Sequence, residues 1–154
     1  MAIREIVPHT DSFIRKRSKP VKVFDEKLWE LLDDMRETLE FTQGSGLSAV
    51  QVGVLKRVFI ININEMQIEF VNPEIISQEG EQYKREGCLS VALPHEYVKR
   101  PFTVTIQAYD RYANKFTLTV EDWTAVCLCH ESDHLDGILY IDKKCTPPKD
   151  KIEE

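Results

Sequence analysis

The stretch Cys127-Leu128-Cys129-His130-Glu131-Ser132-Asp133-His134-Leu135-Asp136-Gly137 contains the pattern His-Glu-x-x-His. In a helix, the interval between His130 and His134 sets the two imidazoles one turn apart on the same face. So placed, they can ligate one metal ion, and Glu131, next to the first, can reach a water bound to that ion. Glu121 and Asp122 suit the positive end of such a helix, and Gly137 is placed to end it. The rest of the chain must then supply a third ligand, a substrate cleft and donors for a developing oxyanion.

At 154 residues, 42% of them apolar and 30% charged, the chain fits one soluble globular domain with a single substantial core. We read residues 1–145 as the catalytic domain and 146–154, which contain Pro147, Pro148 and a charged end, as a flexible tail. The formal net charge of −6 argues against direct nucleic-acid binding, which needs a basic stripe to displace counterions from phosphates. No apolar run reaches the length of a membrane span, and the first residues lack the apolar core of a secretory signal, so the expected location is the cytoplasm. Four irregularly spaced cysteines do not make a disulfide framework in a reducing compartment.

Upstream of the motif the chain divides by pattern. Residues 1–23 read as irregular, with Arg15-Lys16-Arg17 a solvated basic surface. Leu28, Leu31, Leu32, Met35 and Leu39 recur at helical spacing, which predicts an amphipathic helix capped by Asp25 and stopped near Gly44. Gly44 to Gly53 reads as a loop. The β-branched runs Arg57 to Ile63 and Glu69 to Ile76 read as strands, the second beginning or ending at Pro73. Thr103 to Tyr109 and Lys115 to Val120 alternate and predict a β-hairpin.

The third ligand must come from upstream. Tyr140 stands where one extended metalloprotease pattern needs its last histidine. A glutamate from a later helix is also excluded, because only Glu153 and Glu154 remain, beyond two prolines. Cys88, in Glu86-Gly87-Cys88-Leu89-Ser90, is the best candidate, since a thiolate completes a site with two imidazoles and leaves one position for water.

Three stretches together resemble the peptide deformylase family. Gly44-Ser45-Gly46-Leu47-Ser48-Ala49-Val50-Gln51 is similar to its Gly-x-Gly-Leu-Ala-Ala-x-Gln, Glu86 to Ser90 matches its Glu-Gly-Cys-Leu-Ser, and His130 to His134 matches its His-Glu-x-Asp-His. The likeness runs in the same order from the first residues to about Asp142. It implies an α+β fold in which a metal-bearing central helix is surrounded by mainly antiparallel β-sheets, with the first helix packed outside. It implies removal of the N-formyl group from the initiator methionine of nascent polypeptides, with release of formate. By matching position, Cys88, His130 and His134 would hold one divalent ion, Fe²⁺ in the usual case, with Zn²⁺ or Ni²⁺ able to replace it. Glu131 would carry the proton, and the Gln51 amide with the Leu89 N–H would stabilise the oxyanion. The substrate pocket would be lined by Ser45, Gly46, Gly87, Val126 and Cys127. Asp133 and Arg100 read either as an ion pair that fixes the helix or the Cys88 loop, with Glu86 a further partner for Arg100, or as a plain surface salt bridge.

The sequence also departs from the family pattern. Ser45 replaces a bulky aliphatic residue, Ser48 an alanine, Val50 a proline or threonine, and Cys129 a glutamine; as a neighbour of His130, Cys129 projects away around the helix and is not expected to bind the same ion. His95 reads as a solvent-exposed loop histidine. Two other readings fit the same residues: a metal-dependent amidase for another small acyl group, and a non-catalytic binder of metal or peptide.

Overall fold

The computed structural model describes residues 2–152, so Glu153 and Glu154, the end of the expected tail, lie outside the described residues. The elements in order are α1 (Glu26–Thr42), β1 (Gly46–Ser48), β2 (Val58–Ile63), β3 (Met66–Glu79), β4 (Gln82–Cys88), β5 (Val91–Arg100), β6 (Thr103–Tyr109), β7 (Lys115–Glu121) and α2 (Asp122–His134). Five strands form one antiparallel sheet in the order β1-β2-β3-β6-β7, and β4 with β5 forms a separate hairpin. The architecture is α+β, as the sequence predicts.

The apolar run of β2 is continuous because both faces of that strand are covered. Phe59, Ile61 and Ile63 pack with Val104, Ile106 and Ala108 of β6 against Ala125 and Leu128 of α2. Val58 and Ile60 point the other way, into a cluster with Leu28, Leu32, Met35 and Leu39 of α1. A third cluster, Ile14, Val50, Val91, Val98, Leu139 and Tyr140, joins the N-terminal segment to the β4–β5 hairpin. The motif helix is thus held on one side by the large sheet and met on another by the hairpin. Among the described residues, no helix is long and apolar enough to cross a membrane.

Helix α1 begins at Asp25, whose side chain accepts from the N–H groups of Lys27 and Leu28, and its C-cap is Gln43, in the left-handed region at φ 58°. Helix α2 ends in the paired bonds of a Schellman motif, Ile138 N–H to Asp133 O and Gly137 N–H to His134 O. Gly137 is required there twice over. Its φ is +74°, and a Cβ would lie 2.2 Å from the main-chain oxygen of Arg15.

Several expectations are corrected. Strand β3 neither begins nor ends at Pro73. It runs through, because a register shift between Val71 and Glu74, with Asn72 at φ 49°, lifts the proline out of the ladder where its missing N–H would be felt. The Asn72 side chain instead bonds both main-chain groups of Val21. The stretch from Gly44 to Gly53 is more than a loop, since Gly46–Ser48 pairs with Phe59 to Ile61 and Ala49–Val52 forms a 3-10 turn. Residues 1–23 also hold a 3-10 turn, Ser12–Arg15. Arg15 is not merely solvated: it pairs with Asp142 and donates to the Gly137 oxygen, tying this segment to the end of α2. Glu121 gives α2 no side-chain cap, and Asp122 sits at φ 57°. Near the C-terminus, Cys145 N–H bonds Tyr97 O, Pro147 is buried, and Lys149–Lys151 form a 3-10 turn.

Candidate active site

Three elements converge on one cleft of about 510 Å³, lined by Ser45, Gly46 and Gln51 from the β1 region, Glu86, Gly87, Cys88 and Leu89 from the end of β4, and Val126, Cys127, His130 and Glu131 from α2. Each has a local reason to be there. The helix interval puts His130 and His134 on one face, with ring centroids 4.7 Å apart. The β4–β5 turn carries Cys88 up to them, its Sγ lying 3.6 Å from His134 Nε2. Ligand atoms of Cys88, His130 and His134 all lie within 4.8 Å of one another.

His130 is oriented by an acidic neighbour. Its Nδ1 lies 2.8 Å from Glu86 Oε1, and Glu86 is gripped by Arg100 through Nε at 2.9 Å and Nη2 at 3.0 Å. Burial would raise the Glu86 carboxyl, but the bonds from His130 and Arg100 outweigh it and hold the group below the ordinary carboxylate range. An ionised Glu86 only accepts, so His130 Nδ1 donates to it, which leaves Nε2 as the nitrogen available to a metal. Arg100 reaches on to Asp133 Oδ2 at 2.6 Å, and both Arg100 and Glu86 are buried. This pair is therefore no surface salt bridge. Burial holds His134 well below the ordinary imidazole range, so it is neutral, the form in which an imidazole can bind a metal. Its Nδ1 is buried without a hydrogen-bond partner.

One thiol and two imidazoles, one fixed in its tautomer and one neutral, are a donor set that suits zinc, iron or nickel. The residues fit a single divalent ion.

Glu131 lies beside this set, 5% exposed, with Oε2 4.0 Å from His130 Nε2. Burial pushes its carboxyl up from the ordinary range. Its Oε1 accepts from Ser48 Oγ at 2.9 Å, and its other oxygen faces Gly46, where a Cβ would lie 2.7 Å away. Gln51 is also buried. Its Oε1 accepts from the Ser48 N–H at 2.9 Å, which turns Nε2 toward Cys88 Sγ at 3.5 Å and Ser90 Oγ at 3.1 Å.

A model of the family described as Polypeptide deformylase matches residues 3–150. The chain belongs to the peptide deformylase family. It is 50% identical over 143 residues to the peptide deformylase of Caldicellulosiruptor bescii, covering 93% of this chain and 86% of that protein. The crystal structure of a peptide deformylase from Legionella pneumophila superposes with a TM-score of 0.90 at 43% identity, covering 93% of this chain and 86% of that one. That from Thermotoga maritima gives 0.91 at 31% identity, covering 94% and 99%. The chain is a deformylase, a metalloenzyme that removes the N-formyl group from nascent chains.

Two features of this deformylase's cleft were not read from the sequence. The hairpin that presents Cys88 has no signature in the sequence, because β4 is largely polar and shows no clean alternation of apolar residues. His95 is exposed but lies on β5 rather than in a loop, and it lines the cleft. Its ring packs on Gly87, where a Cβ would lie 2.3 Å from Nε2. Gly87, between Glu86 and Cys88, is the sequence signal that could have pointed to such a close approach.

Proposed function

We propose that this cleft deformylates N-formylmethionyl nascent chains and releases formate, with Cys88, His130 and His134 holding one divalent ion, most simply Fe²⁺. The observation that carries this reading is the grouping of those three donors within 4.8 Å of one another, with Cys88 and His130 lining the same cleft as Glu131 and Gln51. An ion held there supplies a water acidified toward a pKa of about 7 and polarises the formyl carbonyl. Zn²⁺ or Ni²⁺ is acceptable to the same donors.

The chain's own residues do the rest. Glu131, through Oε2, takes the proton of the attacking water and later delivers it to the leaving amine. Its upward shift suits a group that must hold a proton between the two steps. Gln51 Nε2 and the Leu89 N–H donate to the oxygen that gains charge as the formyl carbon becomes tetrahedral. Arg100, Glu86 and Asp133 hold His130 and α2 in place around them. Ser45, Gly46, Gly87, Val126 and Cys127 take up the methionine side chain and the peptide that follows it. We further read residues 1–145 as one catalytic domain working in the cytoplasm, where nascent chains are made.

The test is formate release from a formyl-Met peptide by metal-loaded protein, compared with Glu131→Gln. The variant should keep its metal and lose about 10²- to 10⁴-fold in turnover. Acetate release from an acetyl-Met peptide, without formate release from the formyl peptide, would overturn the reading.

A further inference from the structure

Ser48 departs from the alanine of the pattern this stretch resembles, and it is fully buried. Its single O–H lies within hydrogen-bond reach of two oxygens of Glu131, Oε1 at 2.9 Å and the main-chain oxygen at 2.9 Å, and is shared between them. A hydroxyl that spans a residue's side-chain and main-chain oxygens restrains the torsions between them, and an alanine has nothing to offer there. Strand geometry explains why the contact forms. Alternate residues of β1 share a face, so Gly46 and Ser48 both meet Glu131, while Leu47 turns into the α1 cluster. Gly46 lets the carboxylate lie against the strand, and Ser48 grips Oε1. The oxygen 4.0 Å from His130 Nε2 is then Oε2. The main chain of Ser48 also fixes the direction of the Gln51 amide, because only the oxygen of that amide can accept from the Ser48 N–H.

We propose that Ser48 is a positioning residue of the deformylation reaction: its hydroxyl holds Glu131 Oε1 so that Oε2 is presented to the reacting water. This rests on the reading of Glu131 as the proton carrier. A carboxylate without that hold samples several rotamers, and only a fraction of them place Oε2 for proton transfer, so the loss falls on turnover rather than on substrate binding. The main-chain bond to Gln51 does not depend on the side chain, so it survives removal of the hydroxyl.

Ser48→Ala places the pattern's own residue at this position and removes only the hydroxyl. On a formyl-Met peptide its kcat should fall about tenfold, with KM and metal content unchanged. The same substitution in a Glu131→Gln background, read in single turnovers at high enzyme concentration, should change the rate less than about twofold, since the group it positions is gone. An unchanged kcat, a rise in KM alone, a loss of metal, or an equal loss in the Glu131→Gln background would each overturn the assignment. The two failures are distinguishable. Full turnover by Glu131→Gln alone sinks the reading of Glu131 and this proposal with it, whereas its loss beside an unaffected Ser48→Ala sinks only the role of Ser48.

Discussion

Arg100 grips both carboxylate oxygens of Glu86, through Nε at 2.9 Å and Nη2 at 3.0 Å, with each residue no more than 3% exposed. The same guanidinium bonds Asp133 on α2, and Glu86 bonds His130 on the same helix. One cation therefore joins the hairpin that bears Cys88 to the helix that bears the histidines. Arg100→Met leaves Glu86 buried beside a histidine with no cation. We expect a loss of about 3–5 kcal/mol in denaturant unfolding and about 10- to 100-fold in metal affinity. Arg100→Lys should not restore either, because an ammonium cannot make the two-pronged bond and reach Asp133 as well.

Gly46 carries a second expectation. A Cβ there would meet Glu131 Oε2 at 2.7 Å and Cγ at 2.9 Å, and the carboxylate has nowhere exposed to go. In Gly46→Ala the carboxylate must swing away from the strand, a shift of about 1 Å that is enough to cost up to about 100-fold in rate. Metal content should be unchanged, since Gly46 touches none of the three donors. Parallel measurement of kcat and bound metal checks both statements.

How far the sequence could be read depends on how far each relationship reaches along the chain. The periodicity of α1, the apolar run of β2 and the alternation of β6 are local, and each is visible within a dozen residues. The His130 and His134 spacing is local too, so two of the three grouped donors are legible from five residues. Asn72-Pro73 misled because the bulge that rescues the strand depends on Val21, 51 positions away. The β4–β5 hairpin stays hidden because the polar run of β4 gives no alternation to read, although its ladder pairs Tyr83, Lys84 and Arg85 with Lys99, Val98 and Tyr97. Ser48 was visible as a departure but not as a contact, since its partner lies 83 residues on.

The cysteines separate by environment. Burial, with the nearby charge of Glu131, pushes the Cys127 thiol far up, and burial pushes Cys129 up to about 11. The thiolate is the reactive form, so both should resist alkylation at pH 8 in the folded protein. Cys145 is exposed and should react first. Cys88 is half-buried at the cleft and, as a proposed ligand, should react only after chelation. Mass spectrometry of protein labelled with iodoacetamide, with and without a chelator, gives the order. Early modification of Cys127 would mean that α2 opens more readily than its packing implies.

Asp34 links the N-terminal residues to α1, accepting from the Ala2 N–H at 2.7 Å and from Arg4 Nε at 2.9 Å. Burial would raise its carboxyl, but the Ala2 bond and the Arg4 guanidinium outweigh that and hold it below its ordinary value. The sign of its contribution to stability follows. A carboxyl depressed in the folded state stabilises the fold fully above the unfolded value of about 3.9, and that stability is lost as pH falls through the lower, folded value. Asp34→Asn removes this dependence. The variant should unfold more easily than the parent at pH 7, and the gap should narrow as pH falls below about 4. Urea unfolding of both proteins at a series of pH values measures it, and a gap independent of pH would mean that the carboxylate charge contributes nothing to holding this segment.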